Sequence, residues 1–230
     1  EGHAVRAAYL FAGAADVARA TGNVPLADAC RRLWNNITQH RMYITGGIGS
    51  SGHGERFTID HDLPSEAAYA ETCAAIALVF FAHRMLRLEL NGDYGDIMEL
   101  ALYNGVASGV SYSGDRFFYA NQLSQIPALR TYRKGKEGWW WTTERQPWFG
   151  CACCPPNIAR LYASIGRYMA SFSGNALAIH LYAACTIDAT VGGQRVRLRE
   201  QTDYPWNGSI VFDIESEGMA YYAISLRIPG

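Results

Sequence analysis

The chain has 230 residues, of which 20 are Lys or Arg and 21 are Asp or Glu, so its formal net charge is -1. This balance argues against a nucleic-acid or membrane-surface partner, because such partners attract proteins with a strong basic excess. Hydrophobic residues make up 49% and charged residues 18%, so the chain can bury a core and is not disordered. The longest apolar run, Ala74 to Ala82, is too short to cross a bilayer, and we expect no membrane-spanning helix.

Helical spacing of apolar residues dominates the chain up to about Ser171. It predicts helices over 4–20, 25–40, 63–90, 94–110 and 155–169. In the long third helix, Pro64 suits the start and Asn91 the end. Asp60 and Asp62 either form a polar cluster with the histidine between them or cap this helix, and capping is our preferred prediction.

After about Asn175 the apolar residues alternate, which predicts strands. Gly192-Gly193 and Asn207-Gly208 read as turns between them. The sequence therefore predicts a mainly α chain, with a helical domain over 1–172 and the start of an all-β domain over 173–230. Helices in serial hairpins suggest an α/α barrel. Because the chain opens without Met and stops just after an apolar alternation, we expect a fragment of a longer protein.

Three of the six cysteines, Cys151, Cys153 and Cys154, fall within four residues, just before a predicted helix. This clustering favours metal binding or catalysis over a disulfide framework. A helix N-terminus also stabilises thiolates, the form that binds zinc and attacks electrophiles. Buried structural cysteines are the plain alternative. Free thiols predict a reducing, cytoplasmic location.

Glu71 and Cys73 form a second candidate pair of metal ligands. On a regular helix, residues two apart point about 200° away from each other. The pair can therefore share a metal only in an irregular stretch or at the first turn of a helix. With Cys153 and Cys154, these residues would complete a tetrahedral zinc shell.

A glycine-rich loop, with five glycines over 46–54, leads into Glu55. A carboxylate there is a candidate general acid/base, and a solvated loop glutamate is the alternative. The loop lacks the Lys-Ser/Thr of a phosphate-binding P-loop, which excludes that interpretation. His3 and Arg6 share a helix face, and Tyr119 lies in an aromatic run beside a predicted cleft. From the residues alone, structural roles for these three are favoured.

Several linked motifs together resemble the bacterial β-L-arabinofuranosidases, zinc-dependent retaining hydrolases of glycoside hydrolase family 127. The motifs are YITGGIGS at 43–50, Gly54-Glu55, Asp62-Leu63-Pro64, Glu71-Thr72-Cys73 and FGCACCP at 149–155. The similarity extends over nearly the whole chain. It implies that residues 1–172 form the C-terminal part of an (α/α)6-barrel catalytic domain and that residues 173–230 begin a β-sandwich.

The resemblance also implies roles for individual residues. The zinc ligands would be Glu71, Cys73, Cys153 and Cys154. Cys153 would be the nucleophile and Glu55 the general acid/base, while His3 and Tyr119 would contact the sugar. The implied reaction is release of L-arabinose from a β-L-arabinofuranosyl oligosaccharide or glycoconjugate. Because the family's site also draws residues from the missing half of the barrel, we expect the isolated fragment to be inactive.

Two other functions stay open at this point. In the first, zinc only stabilises a non-catalytic glycan-binding module, and the tryptophan-rich segment 130–150 binds the glycan. In the second, the cysteines serve a thiol protease or redox enzyme. Cys151 and Cys154 have redox-like spacing, but no thioredoxin-like βαβ pattern surrounds them. The sequence predicts no particular linkage or oligomeric state.

Overall fold

The computed structural model describes residues 2–126, 128 and 141–230. Its backbone contacts divide the chain into two units, 1–163 and 164–230. Within the described residues, no helix combines the length and the apolar character that a membrane span requires. Residues 130–140 of the tryptophan-rich segment lie outside the described residues. The predicted domain limits at 172 and 173 stay a prediction.

The first unit is helical. Its elements are β1 (Gly2–His3), α1 (Ala4–Thr21), α2 (Val24–His40), β2 (Arg56–Phe57), α3 (Thr72–Leu88), α4 (Gly92–Leu100) and α5 (Cys154–Ala163). Helix α3 is buried on nearly every side, as expected for a helix that is apolar all round. Helix α1 presents alanines at every buried position, and such small side chains allow α3 to approach closely. The predicted helices over 4–20 and 25–40 are confirmed.

The N-terminal part of the predicted helix over 63–90 is wrong, because α3 begins only at Thr72. The preceding backbone pairs with distant segments instead. The Ala70 N–H donates to Gly49 O at 2.8 Å, and the Thr72 N–H donates to Tyr119 O at 2.9 Å. Ala70 also has a φ of 38°, which a right-handed helix excludes. Long-range hydrogen bonds therefore override the local helical pattern.

The predicted capping role of Asp60 and Asp62 is also wrong, since even Asp62 lies ten residues before α3. The alternative prediction is a polar cluster, and such a cluster forms around Asp60 and His61. Asp60 Oδ1 lies 2.7 Å from Arg41 Nη2. The His61 Nε2 and His40 Nδ1 atoms lie 3.1 Å apart.

The predicted helix over 94–110 is present but changes type along its length. Helix α4 continues into a π-helical turn, Ala101–Val106, and a 3-10 turn, Ala107–Gly109. Gly105 and Gly109 allow close approach here. A Cβ at Gly105 would lie 2.9 Å from Ala75 Cβ, and one at Gly109 would lie 2.8 Å from Thr72 Cγ2. The two glycines therefore allow α3 to approach closely, and the helical stretch continues through Gly105 but ends at Gly109.

The second unit contains a short helix and two three-stranded sheets. The elements are α6 (Gly166–Met169), β3 (Ala170–Ser173), β4 (Ala176–Ile179), β5 (Cys185–Val191), β6 (Gln194–Thr202), β7 (Ile210–Ser216) and β8 (Ala223–Leu226). The sheet orders are β3-β4-β8 and β5-β6-β7, and only β4 and β8 pair in parallel. Leu177 and Ile179 share one core with Val196 and Leu198 of the other sheet. The turn predicted at Gly192-Gly193 is confirmed, with φ of 59° and 79°.

Candidate active site and metal centre

Four side chains from two helix starts converge in the first unit. Glu71 is the extended residue just before α3, and Cys73 is the second residue of that helix. Cys153 precedes α5, and Cys154 is its first residue. Their ligand atoms all lie within 4.8 Å of one another. The first-turn placement that Glu71 and Cys73 require is therefore what the structure shows.

The distances from Glu71 to two of the sulfurs fit a tetrahedral metal ion, whereas the sulfurs of Cys73 and Cys153 lie closer together than such an ion would hold them. Cys73 Sγ and Cys153 Sγ lie 3.2 Å apart, well beyond the length of a disulfide. Glu71 Oε1 lies 3.6 Å from Cys153 Sγ and 3.7 Å from Cys154 Sγ. Zinc bond lengths imply ligand separations of roughly 3.6–3.8 Å. Thiolates with one carboxylate are also a donor set that zinc accepts.

Glu71 has the environment of a ligand rather than of a surface carboxylate. Its side chain is buried, and Oε2 has no hydrogen-bond partner. Burial raises the pKa of Glu71 to about 9, and the negative charge of Cys153 adds to the effect. Four groups that can each become anionic are thus enclosed together. Such an arrangement is costly unless a cation or protons compensate the charge.

The cluster concentrates negative charge on Cys153. Hydrogen bonds that the thiols of Cys154 and Cys73 donate to it hold the pKa of Cys153 well below its usual range. Burial correspondingly raises the pKa of Cys154. The thiol of Cys73 also has a raised pKa, because it donates a hydrogen bond to Cys153. Cys153 is therefore the sulfur with the most nucleophilic character in the cluster.

Glu55 is held in place at the end of the glycine loop rather than being freely solvated. Its Oε2 lies 2.7 Å from Nε2 of His3, the residue that precedes α1. Its backbone carbonyl accepts the Ala4 N–H at 2.9 Å. The buried Tyr69 lies near the Glu55 carboxyl group, and burial together with the charges of Glu71 and Glu55 raises the pKa of that tyrosine. A carboxylate paired with His3 in this way has a defined position, which acid/base chemistry requires.

Tyr119 contacts the cluster. It is buried, packs edge-on against Phe149 with ring centroids 5.5 Å apart, and lies 6.5 Å from the ring of Tyr69. Its hydroxyl hydrogen-bonds Cys153 and helps to lower the pKa of that thiol. Tyr119 thus contacts the candidate nucleophile, whereas the residues alone favoured a structural role.

Sequence reasoning missed Tyr69 and Phe149 as parts of this site. No periodic signal points to Tyr69, because Ala70, between it and Glu71, has a φ of 38° and interrupts the alternation of an extended segment. Arg6 and Cys151 are exposed. Trp148 is 56% exposed. The remaining predicted site residues are brought together in the first unit: His3, Glu55, Glu71, Cys73, Tyr119, Cys153 and Cys154.

Comparison with known proteins agrees with this geometry. Residues 1–167 match the family described as beta-L-arabinofuranosidase, GH127 catalytic domain, and residues 176–230 match the GH127 middle domain. The chain therefore belongs to the GH127 beta-L-arabinofuranosidase family. The resemblance found in the sequence is confirmed.

Three relatives illustrate the similarity. Over 236 residues the chain is 39% identical to the non-reducing end beta-L-arabinofuranosidase of Bifidobacterium longum subsp. longum, covering 100% of this chain and 35% of that protein. A crystal structure of a GH127 beta-L-arabinofuranosidase from Geobacillus stearothermophilus T6 has 47% identity and a TM-score of 0.94, covering 100% and 36% of the two chains. The structure of another GH127 beta-arabinofuranosidase has 40% identity and a TM-score of 0.89, covering 100% and 34%. The chain thus spans about a third of these relatives' length.

Proposed function

We propose that the protein carrying this chain is a zinc-dependent retaining glycoside hydrolase that releases L-arabinose from the non-reducing ends of β-L-arabinofuranosides. The observation that carries the proposal is the placement of a positioned carboxylate in the same site as a thiol nucleophile. Tyr69 lies near Glu55, its ring is 6.5 Å from that of Tyr119, and Tyr119 in turn bonds Cys153. The names of the similar proteins support the choice of sugar.

Glu71, Cys73, Cys153 and Cys154 would hold the zinc ion. The spacing of their ligand atoms and the unpartnered Glu71 Oε2 support this assignment. When bound, zinc supplies positive charge that keeps its cysteine ligands deprotonated near neutral pH.

The first displacement forms a covalent intermediate on Cys153. Its sulfur attacks the anomeric carbon while the glycosidic carbon–oxygen bond breaks, and Glu55 donates its proton to the departing oxygen. In most retaining glycosidases a second carboxylate is the nucleophile, and here the thiolate takes that role. His3 fixes the Glu55 carboxyl group during this step.

The second displacement releases the sugar. Glu55 takes a proton from water, the water oxygen bonds to the anomeric carbon, and the bond to the Cys153 sulfur breaks. Each displacement inverts the configuration, so two of them retain it. His3 and Tyr119 are the residues of this chain proposed to contact the sugar.

The whole protein is proposed to complete an (α/α)6 barrel around the helical unit and a β-sandwich beginning in the second unit, with limits near 172 and 173. Leu10 and Val17 on α1 support the barrel, because they are 68% and 52% exposed and further helices would cover them. A cytoplasmic location, and the absence of nucleic-acid or membrane partners, remain part of the proposal.

The test uses the full-length protein with a β-L-arabinofuranosyl disaccharide, and NMR identifies the first-formed anomer of the released arabinose. We expect the β anomer. Glu55→Gln should slow hydrolysis by about 10²- to 10⁴-fold while leaving disaccharide binding intact. Glu144→Gln, which alters an exposed carboxylate of the same unit, is the matched control and should keep full activity.

Two outcomes would contradict the proposal. Full activity in Glu55→Gln would remove the acid/base role from this residue. Binding without hydrolysis by the wild-type protein would favour the glycan-binding module. The redox alternative is disfavoured because Cys154 lies in a cluster of metal-ligand type with Glu71, Cys73 and Cys153, and Cys151 is not a member of that cluster.

A further inference from the structure

The backbone on either side of Glu71 is bound by a single side-chain amide. The Asn121 Nδ2 atom donates one hydrogen bond to Ala70 O and another to Thr72 Oγ1, both at 2.9 Å. Because the carbonyl of Ala70 can only accept, the amide nitrogen has to face it, and the orientation of the amide group is settled. Asn121 thus contacts the residue before Glu71 and the residue after it.

Thr72 extends this contact to the segment that carries Tyr119. Its hydroxyl accepts from Asn121 and donates to Phe118 O at 2.9 Å, so it is engaged both as acceptor and as donor. Its backbone N–H donates to Tyr119 O, also at 2.9 Å. Thr72 is completely buried. It therefore joins the start of α3 to the segment whose tyrosine contacts Cys153.

Ala70 is fixed in a backbone conformation that alanine rarely adopts. Its φ of 38° is unfavourable for a residue with a Cβ atom. Its N–H donates to Gly49 O at 2.8 Å, and its carbonyl accepts from both the backbone and the side chain of Asn121. Strained residues persist only where their surroundings fix them, and they concentrate at functional sites. Without the amide of Asn121, Ala70 could relax and the adjoining Glu71 could move.

These contacts bear on the candidate metal centre because of where they lie in the chain. The two residues that Asn121 contacts alternate with two of the candidate ligands, Glu71 and Cys73. A metal site binds tightly only when its ligands are held in position before the metal arrives, and groups behind the ligands supply that order. Asn121 is not itself among the four candidate ligands.

We propose that Asn121 is a positioning residue of the metal centre. It acts through Ala70 and Thr72, and it fixes the backbone of the ligand between them. It needs no contact with the metal ion. Hydrogen-bonding groups behind the ligands of a metal typically contribute about 10- to 100-fold to its affinity. This inference rests on the zinc site of the proposed function.

The test measures zinc affinity in the full-length protein, by competition with a chromophoric chelator under reducing conditions. Asn121→Ala removes both donated hydrogen bonds and should weaken zinc binding about 10- to 100-fold. Thr38→Val is the matched control, because it removes a hydroxyl that donates to Trp34 O within α2. It should keep the wild-type affinity. Circular dichroism at the temperature of the titration establishes that each variant is folded.

A pair of variants at Thr72 separates hydrogen bonding from packing. Thr72→Val keeps nearly the same volume but takes a partner from Asn121 and from Phe118, and it should weaken zinc binding about tenfold. Thr72→Ser keeps the hydroxyl and should retain the affinity. The pair tests the inference independently of whether Asn121→Ala folds. A role in folding alone would lower the unfolding temperature and leave the zinc affinity of the folded protein unchanged.

Three results would overturn the inference. Wild-type zinc affinity in folded Asn121→Ala or in Thr72→Val would leave Asn121 with a role in stability only. Equal losses in Thr72→Val and Thr72→Ser would assign the effect to packing. A wild-type protein that binds no zinc would contradict the metal centre itself, and this result is recognised before any variant is compared. Hydrolysis is assayed on the same samples, so a failure of the proposed reaction is recognised separately.

Discussion

At the scale of single residues, Glu71 is the most informative side chain. It is 2% exposed, its pKa is raised to about 9 by burial, and its Oε2 has no partner. A glutamate buried in this way destabilises the fold unless it is protonated or bound to a cation. Its place beside three sulfur atoms favours the cation.

Replacing one sulfur ligand should therefore remove the metal. In the full-length protein we expect about one zinc ion at this site and its loss in Cys154→Ser, since hydroxyl oxygen is a poor substitute for thiolate. Elemental analysis of protein purified under reducing conditions measures the zinc content. Cys30→Ser alters a buried thiol of α2, away from the cluster, and should keep the zinc. Equal zinc content in the two variants would contradict the metal site.

At the scale of elements, the start of α3 shows where local pattern stops being informative. Helices α1 and α2 follow their apolar spacing. Each buries one face, and the residues at the helix ends carry clear start or stop signals. The residues before Thr72 carry helical spacing too, yet they bond to the glycine loop and to residues 119–121. Those partners lie about 20 and 50 residues away in sequence, so no local signal reports them.

The glycine loop depends on a close approach at Gly46. This residue has a φ of 75°, and a Cβ there would lie 2.7 Å from Ala101 Cα. Gly46→Ala should lower the free energy of unfolding by about 3 kcal/mol, from backbone strain and a clash with main-chain atoms. Thermal unfolding of the full-length protein measures the change.

Gly114 offers a control that separates strain from clash. Its φ is 78°, and a Cβ added there would meet no other atom within 4 Å. Gly114→Ala should therefore cost only the backbone strain, about 1 kcal/mol. A Gly46→Ala variant as stable as Gly114→Ala would contradict the close packing of the loop against the π-helical turn.

At the scale of the whole molecule, identity of the site residues was easier to predict than their arrangement. The resemblance supplied the roles of Glu55 and Cys153, and spacing alone required Glu71 and Cys73 to occupy a first turn. The convergence of residues 71 and 153 depends on packing between helix starts about 80 residues apart, which no periodicity encodes. The place of Tyr69 in the site emerges only from the fold, which brings it near Glu55 and Glu71.

The pH dependence of stability should include a contribution from the β unit. Glu200 is 1% exposed, and burial raises its pKa to about 7 from 4.5. The folded state thus holds this proton more tightly than the unfolded state. The resulting stabilisation is complete below pH 4.5 and is lost as the pH rises through 7.

Glu200→Gln should therefore raise the unfolding temperature at pH 8 and leave it nearly unchanged at pH 4, with a gain of at most about 3 kcal/mol. Glu215→Gln, on the exposed side of the same sheet, should have little effect at either pH. The effect of Glu200 has to be read from the difference between variants, because His180 also makes stability depend on pH. Burial lowers the pKa of His180 to about 4, so the stability that the neutral His180 contributes is lost as the pH falls. Equal behaviour of the two glutamate variants would contradict the buried acid.

The central claim is that Cys153 and Glu55 act together on one anomeric carbon. Intact-protein mass spectrometry tests it on the full-length Glu55→Gln protein mixed with an aryl β-L-arabinofuranoside. The aryl leaving group departs without an acid, whereas release from the enzyme still needs the base, so the intermediate should accumulate. We predict one arabinofuranosyl group per protein, mapped by peptide analysis to Cys153 and absent in Glu55→Gln/Cys153→Ser. Continued hydrolysis by Cys153→Ser, or an adduct on another residue, would contradict the account.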